Sequence, residues 1–228
     1  MWITTKTLLN SAALTSCLAA PTLAETITVT EASEAAIDSA LAAAAASESA
    51  TKVVLGFEGD VAIAETLAYD GQSALALIGN GQTVTTANNI SLLAATQGAD
   101  LHVVGLNLVG PGGFSVENRG DIDGPAGKGI FLDIRDDQTD TVSLVAEDVT
   151  VSGVAGYGVH VSDCTLADDC GGGQTGDGDG SAAGISVTLR NVTIEDVGNG
   201  TFDGDGLRVD ERGPGGVNAM ITGTTVSK

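Results

Sequence analysis

Aromatic residues make up only 3% of this 228-residue chain, histidine occurs twice, and Lys and Arg together number nine against 30 Asp and Glu. So few aromatics force any core to be built from Val, Ile, Leu and Ala. Nine cations at a formal net charge of −21 cannot assemble the clustered basic surface that nucleic acid or an anionic membrane needs. That balance suits a solvated extracellular protein. Nucleophilic Ser and Cys motifs are missing, and so are phosphate-cradling loops: "GPGG" at 110–113 and 213–216 lacks the Lys-Ser/Thr that would follow and reads as turn material. After the first 24 residues no segment is long and apolar enough to span a bilayer. What the chain has in abundance is Gly, 32 of them. Frequent Gly means frequent turns, and so many short strands.

Residues 1–24 read as an export signal. Met1 to Lys6 give a short basic start, Leu8 to Ala20 a mostly apolar run, and Pro21-Thr22-Leu23-Ala24 a small-residue cleavage site. Cleavage after Ala24 implies a secreted or cell-surface protein. Leu14-Thr15-Ser16-Cys17 competes as a lipobox, but lipidation at Cys17 would leave an unusually short signal. Lys6 is the only charged residue removed, so the mature chain is one unit more negative. The remaining cysteines, Cys164 and Cys170 in "CTLADDC", read as a local disulfide in preference to a metal site. A loop that small would pin a loop and not hold the fold.

Residues 25–51 are expected to hold a strand and then a helix. "TEASEAAIDSALAAAAAS" has Thr30 as a cap, Glu31 and Glu34 at the positive end, and Ile37 and Leu41 on one face. From 52 onward, "KVVLGF", "VAIAETLAY" and "ALALIGNGQTVTT" look like strands. Three twelve-residue blocks then superpose without a gap: "TVSLVAEDVTVS" (141–152), "GISVTLRNVTIE" (184–195) and "GVNAMITGTTVS" (216–227). A degenerate copy, "LHVVGLNLVG" (101–110), aligns Leu106 and Leu108 with Val149 and Val151. A shorter motif alternates with the blocks: "GIFLDI" (129–134), "GVHVSD" (158–163) and "GLRVDE" (206–211). Both motifs alternate with period two, so each is a strand with one buried face. Motifs repeating in fixed order without intervening helices mark a solenoid.

These stacked aliphatic strands with a Gly-bounded strand in each coil resemble the right-handed parallel β-helix shared by pectate-lyase-like enzymes, phage tailspikes and bacterial surface passengers. The resemblance implies an all-β fold over 52–228 with an N-terminal capping α-helix. Because that fold hosts unrelated activities, it leaves function open. Stacking the short motifs puts Phe131, His160 and Arg208 in one external column and Asp133, Ser162 and Asp210 in the next. The plain expectation for such a face is solvation, with an Arg–Asp pair worth little; the functional one is a groove that binds an extended polymer. "GDGDG" (176–180) and "FDGDG" (202–206) place Asp177, Asp179, Asp203 and Asp205 on flexible backbone that could hold Ca²⁺, although no EF-hand Glu follows.

Family catalytic signatures are incomplete. "RVDERGPGG" has Arg208, Arg212 and Pro214 but lacks the second Arg of a lyase-like Arg-x-Pro-x-x-Arg. The acid pair Asp136 and Asp137 has no Gly-His-Gly element near either His102 or His160. The sequence therefore predicts an exported module that binds polysaccharide or a cell-surface glycan. A polysaccharide lyase or glycoside hydrolase, and a purely structural surface passenger, are the alternatives. The last block has no short motif after it, which predicts further coils or a capping partner there.

Overall fold

The computed structural model describes residues 25–112, 127–163, 180–198 and 204–227. The signal segment and Cys17, the pair Cys164 and Cys170, and Asp177, Asp179 and Asp203 lie outside the described residues. Among the described residues there is one helix, α1 (Glu34–Ala45), and the strands form three sheets. The first holds β1 (Glu25–Val29), β2 (Thr51–Leu55), β5 (Leu75–Ile78), β8 (Leu101–Val104), β11 (Val142–Glu147), β14 (Ile185–Arg190) and β17 (Val217–Thr222). The second holds β3 (Val61–Ile63), β6 (Thr83–Thr86), β9 (Asn107–Val109), β12 (Thr150–Ser152), β15 (Thr193–Glu195) and β18 (Thr225–Ser227). The third holds β4 (Leu67–Tyr69), β7 (Leu93–Ala95), β10 (Ile130–Asp133), β13 (Val159–Asp163) and β16 (Leu207–Glu211). Every strand pairing is parallel. The chain visits the sheets in the order first, second, third, coil after coil. The result is all-β, with three parallel sheets and a single helix, and is compatible with a parallel β-helix solenoid.

The register matches the repeats read from the sequence. Val142 pairs with Ile185 and Ile185 with Val217, as the three blocks require. Leu108 pairs with Val151. Ile130 pairs with Val159, and Val159 with Leu207, as the short motifs require. In-register stacking turns each inward position into an aliphatic ladder, such as Val53, Leu77, Val103, Ala146 and Leu189, all buried. Each buried Val, Leu or Ile contributes about 1.5–3 kcal/mol, so the ladders replace the missing aromatics by number.

Two devices turn the corners. Between the first and second sheets the chain needs a left-handed residue, supplied by Gly105, Asp148, Asn191 and Gly223 with φ of 59°, 53°, 53° and 60°. Asn and Asp tolerate that region better than other residues with a side chain, and here Asn191 Nδ2 donates to Asp148 Oδ1 at 3.1 Å, which ties the corner of one coil to that of the coil before it. In the short motif, the Gly admits the second sheet's aliphatic side chain. A Cβ at Gly129, Gly158 or Gly206 would collide with Val151, Ile194 or Val226 respectively.

The helix starts later than its sequence implies. Ser33, with extended φ and ψ of −146° and 148°, is the N-cap in place of Thr30, and its Oγ accepts from Ala36 N at 3.3 Å. Glu34 Oε1 does more than suit the positive end: it accepts from the backbone N–H groups of Ala64 and Glu65 at 3.0 and 2.8 Å. That ties α1 to the turn after β3. Ile37, Leu41 and Ala44 are buried, and α1 packs against β1, β2, β3 and β4.

Replacing Asn191 tests the corner. Asn191→Val should lower unfolding free energy by about 1–3 kcal/mol in denaturant melts, whereas Asn191→Gly should cost clearly less. Equal losses for the two would mean that left-handed geometry is not what selects Asn there.

Candidate functional site

The short-motif strands β10, β13 and β16 bring the expected columns together. Phe131, His160 and Arg208 are register partners, and so are Asp133, Ser162 and Asp210. The expected exposure, however, is not found. Phe131 is 0% exposed and His160 3%, and Ser162 is fully buried. Phe131 nonetheless stands apart from the main core cluster, so it occupies the other face of the sheet, as the alternation requires. Alternation shows which face a residue takes but not whether more chain lies over it. Among the described residues, Lys128 and Tyr157 supply part of that cover: Lys128 Nζ stands 4.2 Å from the Phe131 ring centroid, and the Tyr157 ring 4.9 Å from that of His160.

Arg208 and Asp210 also depart from the solvated pair expected. Their side chains are 19% and 13% exposed, and Arg208 Nε donates to Asp210 Oδ2 at 2.7 Å. The same oxygen lies 2.9 Å from His160 Nε2. Arg208 also donates from a terminal nitrogen to the Tyr157 hydroxyl at 3.0 Å, with its guanidinium 5.1 Å from the Tyr157 ring centroid. Asp205 Oδ2 is 3.8 Å from Arg208. Tyr157, His160, Arg208 and Asp210 thus form one network, and a half-buried network is stiffer and stronger than a surface pair.

Proton positions follow from these contacts. Burial pushes Asp210 up, but the hydrogen bonds from His160 and Arg208 outweigh it and hold the carboxyl below its ordinary range. Asp210 is therefore an ionised acceptor. His160 is pushed below its ordinary value chiefly by burial, so near neutral pH it is the uncharged imidazole. It donates Nε2–H to Asp210, which leaves the Nδ1 lone pair without a hydrogen-bond partner. Asp133 behaves oppositely to Asp210. Burial raises it from 3.8 to about 7, with Lys128 opposing and Asp136 and Asp163 adding to the rise. Its Oδ1 also has no hydrogen-bond partner. Two carboxyls two coils apart in one column, with Ser162 between them, are thus held in different protonation states, the pattern that acid–base chemistry uses.

The sequence reading overlooked Lys128, Tyr157, Asp163 and Glu211. Gly129 N donates to Tyr157 O and Gly158 N to Asp205 O, so Lys128, Tyr157 and Asp205 form a column of their own, each just before a motif Gly. Asp163 is buried, pairs in register with Glu211, and accepts from Ser181 N at 2.9 Å. Burial and the neighbouring Asp163 raise the Glu211 carboxyl. Extending the motif by one residue toward its start, to "KGIFLDI", "YGVHVSD" and "DGLRVDE", would have shown the Lys–Tyr–Asp column.

Of the four acids considered for Ca²⁺ from sequence, Asp205 alone lies among the described residues. No group of three or more His, Cys, Asp or Glu among them is placed to hold a metal ion, and Asp205 has the Arg208 cation as a competing neighbour. No described helix is long and apolar enough to cross a membrane. No protein-family model, no curated protein and no solved structure matches the chain.

Asp133 gives the site a pH signature. Its folded-state value lies above the ordinary one, so the folded chain binds this proton more tightly than the unfolded chain does. The associated stability is full below about pH 4 and lost as pH rises through about 7. Asp133→Asn should therefore gain melting temperature relative to the parent as pH is raised across that window. A parent-minus-variant difference that stays flat would show that Asp133 ionises as freely folded as unfolded.

Proposed function

We propose that the chain is an exported, right-handed parallel β-helix, closed at its amino end by α1, that binds polysaccharide on the outward face of its third sheet. The observation that carries this reading is the Tyr157–His160–Arg208–Asp210 network. It combines an ionised acceptor and a five-donor cation in fixed geometry. Sugars offer paired hydroxyls, which match both. Arg208 and Asp210 keep part of their surface open, with the exposed Asp205 beside them. Contact is therefore at β16, and Phe131 and His160 serve as its buried support.

A second reading is favoured by one observation. Asp133 near 7, Asp210 held ionised and the free Nδ1 of His160 are the parts of a glycoside hydrolase or lyase rather than of a passive binder. The third possibility, a structural passenger, gives no reason to bury Lys128, His160 and Asp163 together.

Calorimetry against a panel of neutral and uronate polysaccharides should find at least one ligand, and Arg208→Ala should weaken it about tenfold or more, the effect of losing a charged hydrogen bond. New reducing ends or unsaturated products in the same incubations would move the assignment to the enzyme. Absence of binding across the panel, with the chain folded, would remove the glycan reading.

A further inference from the structure

We propose that Asp163 and Glu211 share one proton and so act as a pH-sensitive latch. The latch fastens two successive coils where the chain passes from the third sheet to the first. Both acids stand where the solenoid otherwise builds its core. Ile134 N donates to Ser162 O, which sets Ile134 over Asp163, and Asp163 pairs in turn with Glu211. Ile134 belongs to the aliphatic core. One ladder therefore runs from an isoleucine to two acids in consecutive coils, and Asp163 is as deeply buried as the aliphatic residues around it.

Each carboxyl gives one oxygen to its own coil. Asp163 Oδ1 accepts from Ser181 N at 2.9 Å, and Glu211 Oε1 accepts from Gly213 N at 2.8 Å. The other two oxygens, Asp163 Oδ2 and Glu211 Oε2, are closed off from water and have no donor. The two carboxyls lie within hydrogen-bond reach of each other. Ionised, they are acceptors with nothing to accept; one proton makes a donor of one and satisfies both. Two like charges this close do not both ionise readily. Burial and the Asp163 charge accordingly hold the Glu211 proton above its usual range. The other charged neighbours do not relieve the pair. Asp133 on β10 adds negative charge beside Asp163, with Lys128 and Asp136 acting on Asp133 itself. Asp210 is engaged by His160 and Arg208, and Arg212 is exposed. Residues 212–216 lie between β16 and β17, outside both ladders, yet they pack closely on the coil before. A Cβ at Gly213 would fall on Ser181 O, and one at Gly215 on Ala183 O. Repulsion between the carboxyls would act on that close-packed corner.

The test is run on the full chain carrying Asp133→Asn, because Asp133 titrates in the same sense. Glu211→Gln keeps an acceptor for Gly213 N and offers an amide donor to Asp163 Oδ2, so it reproduces the protonated pair at every pH. Asp163→Asn is the reciprocal change. The folded chain holds the Glu211 proton more tightly than the unfolded chain does. The latch is therefore complete below about pH 4.5, and its stability is lost as pH rises through the raised value. The melting temperature of Glu211→Gln relative to its background should climb as pH is raised. Asp163→Asn should do the same, and combining the two should add nothing, since one proton serves both. Infrared spectroscopy supplies a readout independent of stability. At about pH 5, where an ordinary Glu is mostly ionised, the background should show one protonated carboxyl per chain that both amide variants lose. A melting difference that stays flat with pH would overturn the proposal, as would an infrared band that neither amide alters. So would a rise in melting temperature in millimolar Ca²⁺ that both amide variants lose, because a cation would then hold the pair together.

Discussion

The backbone hydrogen bonds that hold Leu144 between Leu101 on one side and Val187 on the other are the interaction on which the remaining structure depends. They are parallel and in register, so whatever a position carries in one coil is placed directly over its counterpart in the next. Aliphatics stack on aliphatics and make a core without aromatic bulk. Left-handed corners stack on left-handed corners, as at Gly105, Asp148, Asn191 and Gly223. A slip of one residue would turn every inward side chain outward, and so the register is strongly specified.

The same register is unforgiving toward polar side chains. It stacks Asp133, Ser162 and Asp210, and sets Asp163 beside Glu211, on strands that are buried at β13 and half-buried at β16. An unpaired charge there costs several kcal/mol. The chain answers in two ways. Asp210 keeps its charge by accepting from Arg208 and His160, and Asp133 holds a proton up to about pH 7. Neither solution helps the solenoid, because an aliphatic residue at each position would stack more favourably. Local rules broken together on one face, with the rest of the fold consistent, are what a functional site looks like physically.

The stacked parallel strands were readable from the sequence because alternation and repeat spacing act on the same residues that the register pairs. The offsets between "GISVTLRNVTIE" and its neighbours are those of β11, β14 and β17. The columns of the site were readable for the same reason. Their burial was not. Phe131 and His160 follow the outward alternation faithfully, and nothing in a period of two reports that Lys128 and Tyr157 lie against them. Lys128 and Tyr157 escaped notice because they precede the alternating stretch and carry no pattern individually. Thr30 lost the N-cap to Ser33 because several capping residues compete before one helix, and only the backbone angles decide among them.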